Sequence, residues 1–146
     1  MKIGYSLHES LPQDDILKGI FDLHYKLFGN SSDFLSKMKS KPQLTIVVAQ
    51  HDDLVIGYKI GYELNQNNYY SWLGGVDSNY RGYGVASKLM DLQHMYLKEK
   101  GYSAVQTKTM NKWRGMLLLN IKNGFDVIET YTNKEGLHKI ILQKRL

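Results

Sequence analysis

The chain has 146 residues, 42% of them hydrophobic and 23% charged, with a formal net charge of +5 and no cysteine. That length suits one domain, 1–146, with a real buried core, and the missing cysteines exclude disulfides, thiolate metal sites and a cysteine nucleophile. The apolar runs are too short to span a bilayer, the N-terminus does not read as a signal peptide, and the basic residues are scattered rather than massed as a nucleic-acid footprint. A cytoplasmic protein with no membrane and no nucleic-acid partner is expected.

Residues 2–7 alternate apolar and polar and read as a first strand. Ser10, Pro12 and Gln13 then read as a helix start, with Ser10 as N-cap. Ile16, Ile20, Leu23 and Leu27 form the helical stripe, and Gly29 ends it. Ser31 or Ser32 is expected to cap a short second helix bearing Phe34, Leu35 and Met38, closed by Pro42. Residues 44–50 are a continuous apolar run, as in a strand covered on both faces. After a turn at Asp52-Asp53, residues 55–64 alternate as another strand.

A hairpin at 65–68 leads into the next strand, 69–76. A four-residue turn there sets Glu63 across from Tyr70. Val85, Leu89, Leu92, Tyr96 and Leu97 then recur at helical spacing up to Gly101. Residues 102–109 form a further strand, 112–123 a helix capped by Asn111 and ended by Gly124, and 125–131 and 137–144 two last strands. The order is β-α-α-β-β-β-α-β-α-β-β, without repeats or linkers.

Between the strand ending at Val76 and the helix that follows lies a turn holding Arg81, Gly82 and Gly84. A glycine-rich turn at a helix N-terminus gathers free backbone N–H groups at the positive end of the helix dipole, which favours a phosphate. The same letters also suit a tight connection with no ligand. There is no GxxxxGK[ST] and no GxGxxG followed by an acid, so neither known nucleotide fingerprint applies. The five histidines are isolated, with no HxH or HxxxH pair, and no metal site is expected.

The run Arg81-Gly82-Tyr83-Gly84-Val85-Ala86 resembles the acetyl-CoA pyrophosphate loop, Q/R-x-x-G-x-G/A, of the GNAT superfamily of N-acetyltransferases. Asn120 to Phe125, N-I-K-N-G-F, is similar to that family's second signature, a helix ending in a K-x-G-F-type corner. The element order matches too, so the resemblance covers essentially the whole chain. It implies a mixed, mostly antiparallel seven-stranded sheet with helices on both faces, whose fourth and fifth strands splay at the glycine loop. Pantetheine would lie in the splay and pair with free backbone groups of the fourth strand near Leu73 to Val76, with Gly75 and Val76 as contacts, and Gly74-Gly75 fits either a bulge or close backbone approach. Arg81 is read equally as a phosphate contact or a loop brace, and Tyr83 as a donor through its backbone N–H. Lys88 reads as a solvated charge.

The reaction the resemblance implies is direct attack of a primary amine, on a small molecule or a peptide N-terminus, on the thioester of acetyl-CoA. Two positions depart from the family pattern. Tyr70 stands where a glutamate base is frequent, so Glu63, set across from it by the hairpin, becomes the candidate base or amine anchor; a solvated strand-end charge is the alternative. Asn120 stands where the family's acid tyrosine usually is, and can hydrogen-bond the sulfur region but cannot give up a proton near pH 7. Water or Tyr131 would then protonate the leaving thiolate. Trp113 either packs in the core or flanks pantetheine. The acceptor pocket is expected between the first two helices, the Glu63–Tyr70 hairpin and loop 132–136. A degenerate acyl-CoA sensor of the same fold is the alternative to an enzyme, and a homodimer through the terminal strands is left open.

Overall fold

The computed structural model describes residues 1–30 and 32–146. In chain order the elements are β1 (Ile3–His8), α1 (Asp14–Phe28), α2 (Phe34–Lys39), β2 (Thr45–His51), β3 (Leu54–Glu63) and β4 (Asn68–Val76), then a single 3-10 turn (Ser78–Tyr80). After it come α3 (Val85–Glu99), β5 (Ala104–Thr109), α4 (Arg114–Lys122), β6 (Asp126–Thr132) and β7 (His138–Arg145). The strands form one seven-stranded sheet in the order β1-β2-β3-β4-β5-β7-β6. The β4–β5 pair is parallel and the others antiparallel. This is the mixed, mostly antiparallel α/β arrangement that the family resemblance implies.

The strand alternation decides what each face buries. Ile46, Val48, Tyr58 and Ile60 meet Ile20 and Leu23 of α1 and Phe34 and Met38 of α2. Val47, Ala49 and Ile56, one residue out of phase, meet Val85 and Leu89 of α3. Farther along, Met90 and Leu97 of α3 cover Tyr69, Val105 and Leu142. β2 is thus sandwiched, as its continuous apolar run requires.

Several boundaries differ from the sequence expectation, each for a local reason. α1 begins at Asp14 rather than after Ser10: Pro12 biases the preceding residue out of the helical region, and Asp14 and Asp15 in the first turn complement the dipole. Gly29 (φ 84°) terminates it, donating to the Tyr25 carbonyl. The N-cap of α2 is Asp33, not Ser32, while Ser31 lies outside the described residues. α4 starts two residues later than expected, after Trp113, and Asn111 does not cap it.

The hairpin correction matters most. Leu64 donates to the Asn68 carbonyl, and the Asn65 side chain accepts from the N–H groups of Asn67 and Asn68. The connection is therefore three residues, stabilised by an Asx turn. Glu63 pairs with Tyr69, and Tyr62 with Tyr70. A slip of one residue moves a side chain to the other face, so Glu63 and Tyr70 lie on opposite sides of the sheet.

Gly61 of β3 lies beside Tyr69 of β4 and Gln93 of α3. A Cβ there would fall 2.6 Å from Tyr69 Cε2 and 2.7 Å from the Tyr70 carbonyl oxygen, and the latter belongs to a backbone that cannot swing aside. Gly61→Ala is expected to destabilise the fold by about 1–3 kcal/mol, the usual cost of overpacking. Urea unfolding should register this as a lower midpoint with an unchanged m-value.

Candidate active site: the opening between β4 and β5

β4 pairs with β5 at four positions, Asn68↔Ala104 to Ser71↔Thr107, and no further. The Thr107 hydroxyl donates to the Ser71 carbonyl at 3.0 Å, the last link across the pair. Beyond Ser71, β4 keeps its β3 partner as far as Gly57↔Val76. Residues 72–76 therefore turn an edge of backbone polar groups toward the opening, without a ladder to satisfy them. The sheet irregularity sits one step away: Gly61 pairs with Ser71 and Ile60 with Leu73, so Trp72 is the extra residue of a bulge.

The bulge is thus at Trp72 and not at Gly74-Gly75. Those glycines answer to close approach instead. A Cβ on Gly75 would lie 2.5 Å from Leu27 Cδ1, and one on Gly74 3.2 Å from the Tyr58 carbonyl oxygen. Gly75 lets α1 lean on the unpaired strand.

The chain leaves β4 through Asp77, which is buried. Its Oδ1 accepts from Asn79 N–H at 2.9 Å, and its Oδ2 accepts from Lys26 Nζ of α1 at 3.1 Å. The Asn79 hydrogen bond above all, then Lys26 and Arg81, hold this carboxyl below the usual aspartate range against the opposing effect of burial. Asp77 was not singled out by the sequence, although an aspartate two residues before an asparagine in a turn is a recognisable Asx pattern.

Gly82 and Gly84 follow with φ of 86° and 75°, a region disfavoured for side-chain-bearing residues. Neither would bring a Cβ within 4 Å of another residue, so the space over this loop is open. Gly84 is the N-cap of α3 and no side chain caps that helix. The first hydrogen bond counted from the cap is Lys88 N–H to the Gly84 carbonyl, leaving the N–H groups of Val85, Ala86 and Ser87 ahead of the helical ladder. Arg81 and Tyr83 are exposed beside them, and Val85 is buried against the sheet. An open glycine cradle with unsatisfied N–H groups fits a pyrophosphate. The bare edge of 72–76 fits an amide-bearing arm.

On the α1/α2 face the opening meets an aromatic wall. Tyr62 lies 5.4 Å from Tyr70 and 5.8 Å from Trp72, centroid to centroid, and Trp72 lies 6.3 Å from Phe34. Lys41 Nζ sits 4.7 Å from the Tyr62 centroid and 5.0 Å from that of Trp72. Burial, with Tyr62 and Tyr131 adding to it, pushes the Tyr70 hydroxyl up to about 12, so it stays protonated at neutral pH. Next to Phe34, a cavity of about 330 Å³ opens between α1 and α2, lined by Phe21, His24, Tyr25, Asn30 and Leu35 among others. The His24 ring stacks on Phe34 at 4.2 Å, its Nδ1 lies 2.6 Å from the Tyr58 hydroxyl, and burial keeps it neutral. His24 occupies the buried stripe of α1 between Ile20 and Leu27, which was the sequence signal for it.

Glu63 is elsewhere, on the α3 face, where its Oε1 accepts from the Tyr102 hydroxyl at 2.9 Å. It does not meet Tyr70. Asn120 is buried in α4, and its carbonyl ends the helix by accepting from Asn123 and Phe125 N–H. Trp113 is 46% exposed and touches Phe28 edge-on at 6.2 Å, so it is not a core residue.

With this geometry in place, the comparisons are decisive. Residues 13–114 match the model of the acetyltransferase (GNAT) family, well over half of the chain. The chain belongs to the GNAT acetyltransferase family. No curated protein sequence matches it. Among solved structures it resembles Ard1 from Thermoplasma volcanium, with TM-score 0.82, 17% identity and 97% of each chain covered. It also resembles a GNAT family acetyltransferase from Elizabethkingia anophelis with acetyl-CoA bound, with TM-score 0.75, 18% identity and 99% and 98% covered. The ribosomal-protein-S18-alanine N-acetyltransferase from Escherichia coli gives TM-score 0.79 at 13% identity, covering 97% of this chain and 94% of that one. These identities carry the fold. The family match supplies the enzyme class, an acetyltransferase that uses acetyl-CoA as cosubstrate. The match ends at Arg114, the first residue of α4, so Asn120 and the 120–125 corner lie outside it.

The Asp77 tether has a testable pH signature. Its folded pKa is depressed, so its stabilisation is present above the ordinary aspartate range and is lost as pH falls through the folded value. Asp77→Asn is expected to cost about 1–2 kcal/mol at pH 7, and the gap to wild type should narrow as pH falls below the ordinary aspartate range. Urea unfolding of both proteins across that pH range measures it.

Proposed function

We propose that this acetyltransferase moves the acetyl group of acetyl-CoA to a primary amine, carried by a small molecule or a peptide N-terminus, by direct attack. The observation that carries the reading is the end of β4–β5 pairing at Ser71. It puts an unpaired strand edge between a phosphate-type glycine loop and an aromatic, cavity-bearing face.

Arg81, Gly82, Tyr83, Gly84, Val85 and Ala86 would hold the pyrophosphate, chiefly through backbone N–H groups and the dipole of α3. Gly75 and Val76 would hold pantetheine along the free edge, and Asn120 would face its distal end from α4. When bound, acetyl-CoA supplies an activated acyl carbon. Backbone N–H groups on the 72–76 edge polarise its carbonyl and stabilise the oxyanion.

The acceptor enters from the α1/α2 face. An alkylammonium is almost fully protonated at neutral pH, and stripping its proton costs roughly 4–5 kcal/mol. Tyr62, Tyr70 and Trp72 make a wall that already accommodates one ammonium, that of Lys41. The protonated Tyr70 hydroxyl orients the amine rather than deprotonating it. Glu63 faces away from this wall, so the reading assigns it no base role and leaves it as the partner of Tyr102.

Free-thiol release from acetyl-CoA, measured over a panel of primary amines and peptide N-termini, tests the reading. Turnover is expected with at least one free amine and none with its N-blocked form; the absence of release across the panel would refute transfer to amines. For the donor loop, Gly84→Ala should raise the CoA dissociation constant at least tenfold by calorimetry. The fold should lose only about 1–2 kcal/mol, the cost of a left-handed alanine. For the acceptor wall, Trp72→Leu should raise the acceptor KM several-fold while kcat changes less than twofold.

A further inference from the structure

β3 carries a lysine where its neighbours on the α3 face are Gly57 and Gly61. Lys59 pairs in register with Val47 of β2 and with Gly74 of β4. A Cβ placed on Gly74 would meet Lys59 Cγ at 3.7 Å, so the lysine stem lies across the unpaired stretch of β4. Its charge is felt by His94 of α3, on the far side of that strand. Lys59 therefore crosses beneath α3 from β3 toward the β4–β5 opening.

The groups around it are as unusual. Among the described residues, three buried side-chain atoms lack any hydrogen bond: Gln93 Nε2, Gln93 Oε1 and His94 Nε2. Both residues belong to the same turn of α3, and Gln93 is fully buried. Gln93 Nε2 also lies close to Gly61, whose partner Ser71 marks the end of β4–β5 pairing. His94 of α3 lies within electrostatic reach of Lys59 and of Lys144 of β7, whose Nζ is 3.2 Å from His94 Nδ1. Val47 and Gly74 bring no charged or titratable group. Burial, together with these two lysines, pushes His94 down to about 3, so it is neutral. No carboxylate pairs with Lys59 among the described residues. A partly buried cation beside orphaned polar groups marks a place built to receive a polar, electron-rich partner.

The reaction calls for one. Asn120 occupies the helix position from which a tyrosine would protonate the leaving group, and it has no proton to give. We propose that Lys59 is the general acid of this enzyme, its ammonium supplying the proton taken by the CoA sulfur as the thioester breaks. This rests on the acetyl-transfer reading above. The acceptor nitrogen forms a bond to the carbonyl carbon and loses its proton to water. The C–S bond breaks with its electron pair on sulfur, and one proton passes from Lys59 Nζ to that sulfur. Lys59 regains a proton from solvent. Burial lowers the Lys59 ammonium to about 8, close to the ordinary pKa of a thiol, where proton transfer to a thiolate is efficient.

The test uses Lys59→Met and Lys59→Arg in the full chain. A buried lysine with a depressed pKa costs stability while it is protonated, below about pH 8. Lys59→Met should therefore melt at or above the wild-type temperature, which separates lost chemistry from lost folding. Its kcat with acetyl-CoA should fall about 10²-fold or more, with the CoA dissociation constant changed less than threefold. The wild-type fall in kcat above about pH 8 should disappear. Lys59→Arg keeps the charge in a group too weak an acid to act, so it should bind CoA normally and stay slow.

A second readout needs no turnover: the ultraviolet absorbance of the thiolate of bound CoA, titrated with pH. The ammonium should stabilise that thiolate, so its pKa should rise on Lys59→Met. An unchanged kcat and pH profile in Lys59→Met overturns the proposal. So does a tenfold loss of CoA affinity with kcat intact at saturation, which would make Lys59 a phosphate contact. If wild type acetylates no amine, the transfer reading fails, and an unmoved thiol titration would separately remove Lys59 from the sulfur.

Discussion

The site depends on an opening that two antiparallel pairs hold apart. β4 is fixed on its outer side by β3 as far as Val76, and β5 on its outer side by β7 as far as Thr109↔Ile140. Between them the parallel pairing stops at Ser71↔Thr107. Past that point each strand stays bonded to its outer partner while their inner edges diverge. The Trp72 bulge adds local twist where the two strands diverge. The opening is thus a feature of the sheet itself.

A parallel pair must be joined by a crossover, here α3. The crossover begins where β4 ends, so the helix N-terminus necessarily falls at the mouth of the opening. That is the general placement of ligand sites outside the carboxyl ends of parallel strands. Asp77 links this mouth to the other face. Its carboxylate holds the turn before α3 through Asn79 and holds α1 through Lys26. Gly75 brings the same helix against the unpaired strand by having no side chain. α1, which borders the cavity beside Phe34, and the loop before α3 are therefore tied to one another.

Most of the architecture could be read from residue patterns, because burial on one face imposes a period and glycine fixes the stops. The stripe of α1, the apolar run of β2 and the glycine ends at Gly29, Gly101 and Gly124 all sit where the pattern put them. The failures were of helix starts and of register. Asn65 turns the hairpin with its side chain, which shortens the loop by one residue and carries Glu63 to the opposite face from Tyr70. Nothing local distinguishes that turn from a four-residue one. The glycine loop was legible as a turn because positive φ at Gly82 and Gly84 demands glycine. The aromatic face was legible only as core or pocket wall, because aromatic residues in a strand serve both, and only tertiary contacts reveal that Trp72 turns toward Lys41 and Phe34.

Lys59 and Gln93 show where folding and function part. An aliphatic residue at 59 and a leucine at 93 would match the rest of the α3 interface, where Val85, Leu89, Met90 and Leu97 are all buried apolar residues. A partly desolvated ammonium without a carboxylate, together with an amide fully buried and unbonded, lowers stability on both counts. Groups of this kind cluster at functional sites, where the missing partner arrives with the substrate. Their position supports that assignment: Lys59 over Gly74 and Gln93 beside Gly61 both lie at the start of the opening, whereas the apolar contacts of α3 continue on either side of it. The interface gives up hydrophobic packing at the one place where the sheet beneath it has already given up its hydrogen bonds.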